Sequence, residues 1–260
     1  MIHLHEAFLV ELLIILVCCF AALLYIYSVI RTNQSFRQWP LSRTICWCVG
    51  LLTLCIAVVG PLANTAVLDF RVHMLSHLLF AMIAPLLLVL AAPMTLLLRL
   101  LPTPAARFVT TILKSEYCRI ITHPIFAAVL NVGGLWYLYT TNLYILMHDY
   151  MLLHWLVHLH LFFAGYLFTL SIISVDPVYH KKSFVYRAGV LIMALACHNI
   201  LAKYVYTHPP EGVVGYQAEQ GSMWMYYGGG IIDAFIIFML CLQWYKATRP
   251  RIVSANEQMR

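Results

Sequence analysis

Charge is what this chain lacks most. Only 10% of its 260 residues are Asp, Glu, Lys or Arg, against 63% hydrophobic. Soluble domains carry about 25% charge on about 45–50% apolar residues. That deficit excludes a soluble globular enzyme, a disordered chain and a nucleic-acid module. Also missing are a CxxC framework, a CxxCH haem-attachment motif and an HExxH metalloprotease helix. The eight cysteines lie mostly within apolar runs and read as small packing residues. There is no internal repeat, no low-complexity tract and no loop long enough for a soluble fold, so residues 1–260 read as one domain.

What is present is a series of long apolar runs. About 20 residues are needed to cross about 30 Å of hydrocarbon, and a span must be helical to satisfy its own backbone polar groups. Seven runs qualify: Phe8–Ile30, Ile45–Thr65, Val72–Leu98, Pro124–Thr141, Tyr150–Ser174, Phe184–Tyr206 and Met223–Trp244. The fold class expected is therefore all-α, a polytopic membrane protein of seven transmembrane helices. The first run is too long for a signal peptide and has no basic residues before it. Pro85 and Pro93 are expected to kink the third span, and Gly228, Gly229 and Gly230 to allow close backbone approach in the seventh.

The basic residues give the orientation. With seven spans, Arg31, Arg37, Arg43, Arg99, Arg107, Lys114, Arg119, Lys181, Lys182, Arg187, Lys246, Arg249, Arg251 and Arg260 fall on one side, and only Arg71 and Lys203 on the other. Positive charge marks the cytoplasmic side. The N-terminus is expected outside and the C-terminus in the cytoplasm. The net charge of +6 is thus a topology signal, with membrane lipid rather than nucleic acid as the partner.

Ionisable residues inside spans point to function. His73 and His77 stand four apart near the outer end of the third span, and His154 and His158 near the outer end of the fifth. Residues four apart share a helix face. His198 in the sixth span and Asp233 in the seventh fall at a similar depth. Counting about 1.5 Å per residue, His77, His158, His198 and Asp233 form one deep layer, with His73 and His154 one turn above. This pattern points to a metal or haem site on His73, His77, His154, His158 and His198. Imidazole suits zinc, copper, iron and nickel, and a haem between opposed histidines is the rival. Asp69 is either an orienting carboxylate for His73 or a helix cap. Met223 is a thioether on the same side, and Met residues there read first as packing. His160 points away from His158 and reads as structural, while His148 and His208 are outer-loop residues with no periodic partner. His3 allows a square-planar Cu(II) site with a free amino terminus, a pattern that any third-position His satisfies.

The block His73-Met74-Leu75-Ser76-His77, followed by Ala84-Pro85, Ala92-Pro93 and Arg99-Leu100-Leu101-Pro102, resembles the CtaG family of bacterial cytochrome c oxidase assembly factors, the type associated with caa-type oxidases. Thr122-His123-Pro124, Leu153-His154 through His158 to Gly165, and Glu219-Gln220-Gly221-Ser222-Met223-Trp224 extend the likeness over about 70–230. The resemblance implies a non-enzymatic membrane factor of the bacterial cytoplasmic membrane that handles copper for a haem–copper oxidase. It carries His73, His77, His154 and His158 as ligands, and oxidase subunits or a copper donor protein as partners. A haem-binding redox protein and a structural oxidase-like subunit are the alternatives. One departure stands out. The family pattern of His-x-Pro after the fourth-span Trp is replaced here by Tyr137-Leu138-Tyr139 after Trp136.

Overall fold

The computed structural model describes residues 2–250, with side chains from Leu9 onward. His3, Arg251 and Arg260 therefore lie outside what is described of side chains. Twelve helices follow one another, with no strand among the described residues: α1 (Ile2–Asn33), α2 (Leu41–Val58), α3 (Pro61–Ala66), α4 (Phe70–Leu90), α5 (Pro93–Leu100), α6 (Thr103–Leu113), α7 (Glu116–Ile121), α8 (Pro124–Thr140), α9 (Leu143–Asp149), α10 (Met151–Ile173), α11 (Phe184–Thr207) and α12 (Gly215–Thr248). Six of them, α1, α2, α4, α10, α11 and α12, are long and apolar enough to cross a membrane. The fourth expected span forms α8, which is shorter at 17 residues. Two expected spans end early. The second stops at Val58, because Gly60 takes a positive φ of 79° and Pro61 starts a new helix. The third stops at Leu90, because Ala92 is left-handed at φ 53° ahead of Pro93.

The outward faces are those of a protein in lipid. In α1, Leu13, Leu16, Phe20 and Leu23 are all exposed, an arrangement that water would penalise by about 25 cal/mol per Å². Polar contacts fasten this helix to the break after α4. The Tyr25 hydroxyl donates to the Ala91 carbonyl at 2.7 Å and accepts from Trp39 Nε1 at 3.0 Å. Trp47 stacks on Tyr25 at 4.8 Å. Across the same break, Asp176 accepts from the Met94 and Thr95 amides and the Thr95 hydroxyl, capping α5.

The centre of the bundle is α4, packed against α2, α10 and α12. It is not a uniform α-helix. Leu78–Ile83 widens into a π-turn just after His77, and Val129–Gly133 does the same within α8; such turns concentrate at functional sites. Pro85 has no N–H to offer the carbonyl of Ala81. That oxygen instead points at α10, where a Cβ on Gly165 would sit only 2.2 Å away. Only glycine permits this approach. Arg187, counted among the charges of the basic side, is buried in the first turns of α11. It donates to the Ile172 carbonyl at the C-terminus of α10 at 2.5 Å and lies over the Phe184 ring.

Candidate metal-handling site

The histidines gather at one end of the bundle, but not in a single layer. Six of them line two small cavities of about 30 Å³ each. The first is lined by His73, His148, His154 and His158, with Ala57, Ser76 and Phe80 among its other walls. The second is lined by His77, His198 and Asp233, with Asn131 and Thr169.

In the first cavity, α10 presents His154 and His158 as the i, i+4 spacing predicts. Their rings stack with centroids 4.1 Å apart. Nδ1–H of His158 donates to the His154 carbonyl at 2.8 Å, and Nδ1–H of His148 donates to the Tyr144 carbonyl at 2.7 Å. A carbonyl only accepts, so each Nδ1 carries a proton, and in the neutral ring the Nε2 lone pair is left to turn elsewhere. His73 stands 3.2 Å from the Tyr139 hydroxyl through Nε2, and its ring centroid lies 6.4 Å from that of His148. Tyr139 comes from the segment that departs from the family pattern after Trp136. Its neighbour Tyr137 is exposed on the far face of α8.

The second cavity is built by small residues. Gly229 leaves room for His198, whose Cε1 would stand 2.8 Å from a Cβ there. Asp233 follows one turn later on the same face of α12. His77, His198 and Asp233 are 1%, 5% and 6% exposed. Neither ring nitrogen of His77 or His198 has a hydrogen-bond partner, nor has Oδ2 of Asp233. Buried polar atoms are nearly always paired, and each orphan costs about 1–3 kcal/mol. Five such atoms, on three residues, line one cavity. As placed, no three His, Cys, Asp or Glu side chains among the described residues stand close enough together to hold a metal ion.

The remaining expected site residues fall elsewhere. Asp69 is the N-cap of α4: its carboxylate accepts from the Arg71 amide at 2.9 Å and pairs with the Arg71 guanidinium at 2.5 Å. That guanidinium holds the carboxyl below its ordinary range. Its capping role is thus filled, and the hydrogen-bond partner of His73 is Tyr139. Met223 is exposed and faces away with Lys203 and Tyr227. His160 donates to the Leu130 carbonyl in the π-turn of α8 at 3.2 Å, its ring filling the space left by Gly134. His158, expected beside His198, belongs with His73 and His154. The fourth member there, His148, sits on the short helix α9, where no periodicity signals it. Each cavity beside the histidines, at about 30 Å³, has room for about one water-sized species. The 560 Å³ apolar groove between α8 and α11 has no histidine on its walls.

Comparison with known proteins places the chain in a family. The cytochrome c oxidase caa3 assembly factors (Caa3_CtaG) match residues 23–247, and the chain belongs to that family. Among curated relatives, uncharacterized protein Mb0105 of Mycobacterium bovis and uncharacterized protein MT0111 of Mycobacterium tuberculosis are each 29% identical over 249 residues, covering 85% of this chain and 37% of their own. Uncharacterized protein ML1998 of Mycobacterium leprae is 28% identical over 181 residues, covering 67% of this chain and 28% of its own. The chain thus spans 28–37% of the length of these relatives. No solved structure matches.

Proposed function

We propose, taking family membership as the premise, that this protein is a copper-handling assembly factor for a haem–copper oxidase of the caa3 type, seated in a bacterial cytoplasmic membrane. In this reading α8 is the seventh span, the histidine end faces outward and the basic end faces the cytoplasm. Copper is cargo. It is taken up at the outer face on His73, His77, His154, His158 and His198 and passed to an oxidase subunit or accepted from a donor protein. Imidazole ligands release metal by exchange, and no covalent chemistry is required of the chain.

The observation that carries the reading is the pair of buried imidazoles, His77 and His198, on one small cavity with no hydrogen-bond partner at any of their four ring nitrogens. A merely structural histidine in a span finds a partner, as His160 does. A soft cation satisfies both rings at once.

The test is copper per folded chain after mild purification, with the absorption spectrum recorded alongside. The wild type should hold copper and show no Soret band. His77→Ala should lower the copper content, while His180→Ala, at the basic end, should leave it unchanged. Stoichiometric iron with a Soret band would reject the proposal in favour of a haem protein. Full copper in folded His77→Ala and His158→Ala would also reject it.

A further inference from the structure

Away from the histidines, α8 and α11 part to leave an apolar groove of about 560 Å³ on the flank of the bundle. Two glycines on its walls face open space. A Cβ on Gly189 would meet nothing within 4 Å, and one on Gly133 would meet only Val129 Cγ1, of its own helix, at 3.8 Å. Val129, Val185 and Met193 along the walls are exposed, and no charged residue lines them.

The groove has two unlike ends. At one, the indole N–H of Trp136 donates to the Cys197 carbonyl at 3.2 Å and ties the two helices together, with the Tyr204 ring 5.9 Å from that of Trp136. From there the groove runs back to Ile125 on α8 and Val185 on α11, near the first residues of both helices. From Ile125 to Trp136, at about 1.5 Å per residue, is about 16 Å. That is one leaflet, half of the roughly 30 Å hydrocarbon core. A volume of about 560 Å³ over this length gives a cross-section of about 35 Å², whereas a helix about 10–12 Å across needs roughly two to three times as much. A partner's transmembrane helix would also need a seam through the full thickness, and Trp136 shuts this one at mid-depth.

The open end is polar and basic. The Tyr186 hydroxyl, on the groove wall, lies 3.5 Å from His123 Nε2. Burial and the charge of Lys182 hold the His123 imidazole below its ordinary pKa, which puts Lys182 close by. The described carboxylates of this end are engaged elsewhere, Glu116 with Arg119 and Asp176 with the amides of α5. Both α8 and α11 start here, so the positive ends of their dipoles add to the same charge.

We propose that the groove between α8 and α11 is a resident lipid site. It takes one acyl chain of an anionic phospholipid from the leaflet on the basic side, and Lys182, His123 and the Tyr186 hydroxyl meet the phosphate. The chain ends against Trp136 and supplies packing between the two helices that the protein's own side chains do not. The site requires α8 and α11 to cross the membrane side by side and does not depend on copper.

The full chain, purified in mild detergent and washed free of loose lipid, is read by native mass spectrometry. It is then placed in phosphatidylcholine nanodiscs containing phosphatidylglycerol brominated towards its chain ends, and the quenching of Trp136 is taken as the difference between wild type and Trp136→Phe. One phosphatidylglycerol should stay on each chain, and brominated phosphatidylglycerol should quench Trp136 at a far lower mole fraction than brominated phosphatidylcholine. Lys182→Gln should lower that preference about fivefold, the contribution of one cation near a membrane surface. Gly133→Leu with Gly189→Leu fills the groove and should abolish both the retained lipid and the selective quenching. Quenching that does not distinguish the two lipids means ordinary boundary lipid and overturns the site, as does a folded double variant that keeps its lipid. Should the double variant fail to fold, Lys182→Gln with His123→Gln, both at the mouth, decides instead, and an unchanged preference overturns the proposal. A photo-crosslinker at Val129 should capture lipid; capture of a protein in its place would overturn the lipid site in favour of a partner helix.

Discussion

The sharpest structural test of this fold is a single methyl group on Gly165. A Cβ there would lie 2.2 Å from the Ala81 carbonyl oxygen and 3.5 Å from Pro85 Cγ. A carbon approaches a carbonyl oxygen to about 3.3 Å at closest in ordinary C–H···O contacts, so Gly165→Ala requires α4 and α10 to part by about 1 Å. The obstacle is backbone, and no side-chain rotation relieves it. Overpacking of this kind costs about 1–3 kcal/mol; a backbone clash between two central helices falls at the upper end. For a domain of this size about 3 kcal/mol corresponds to a drop of about 6–12 °C in Tm. Gly189→Ala on α11 is the matched control, because nothing lies within 4 Å of its would-be Cβ; it should be neutral or stabilising by up to about 1 kcal/mol from helix propensity. Thermal unfolding of both variants in the same detergent gives the comparison. If Gly165→Ala melts within about 2 °C of Gly189→Ala, the close approach of the Ala81 carbonyl to α10 is wrong, and with it the reason given for Pro85.

Three further expectations follow from other parts of the molecule. Gly229→Ala drives a methyl against His198, whose Cε1 would be 2.8 Å away; copper affinity should fall several-fold with little change in Tm, and unchanged affinity would remove His198 from the site. The Asp69 carboxyl is held below its ordinary value of 3.8, chiefly by its hydrogen bond from Arg71; its contribution to stability is therefore complete above that pH and lost as pH falls through the lowered value. Asp69→Asn should thus destabilise at neutral pH and converge with wild type in acid, and an equal loss at both would refute the pairing. Reporter fusions at the two chain ends should report opposite sides of the membrane, and reporters on the same side would reject the seventh span.

The helical class and part of the side-chain arrangement around the candidate site were legible in the sequence, for reasons that differ by residue. His154 and His158 stack as read because α10 is regular over its whole length. His73 and His77 have the same spacing, yet they line different cavities. Their stretch of helix is as regular as α10, so the difference comes from what faces them: Tyr139 and His148 at His73, and the wall shared with His198 and Asp233 at His77. The Gly60-Pro61 break was visible as a turn dipeptide, but the apolar run around it outweighed the signal. Ala92 left no trace at all, because alanine in a left-handed conformation is set by its surroundings: the cap from Asp176 and the Tyr25 hydroxyl on the preceding carbonyl. His148 was passed over because a seven-residue helix offers no period to read. Asp233 ranked below the histidines because the absence of a counter-charge is a fact of the packed interior and cannot be counted along the chain.

The π-turn in α4 also bears on which length changes this helix tolerates. Eight residues separate His77 from Pro85, a spacing that in a regular α-helix would set them about 80° apart. The wide turn at Leu78–Ile83 absorbs one residue, so the two behave as if seven apart and return to within about 20° of a common face. Both indeed meet α10 near Gly165: Pro85 through its ring and His77 through the cavity that it shares with that glycine. Deleting one residue inside Leu78–Ile83 would restore a plain α-helix and keep both faces in place. The same deletion three residues to either side would turn every histidine before it by about 100° away from the bundle. Length variation within α4 is therefore confined to one turn, and that turn carries Phe80.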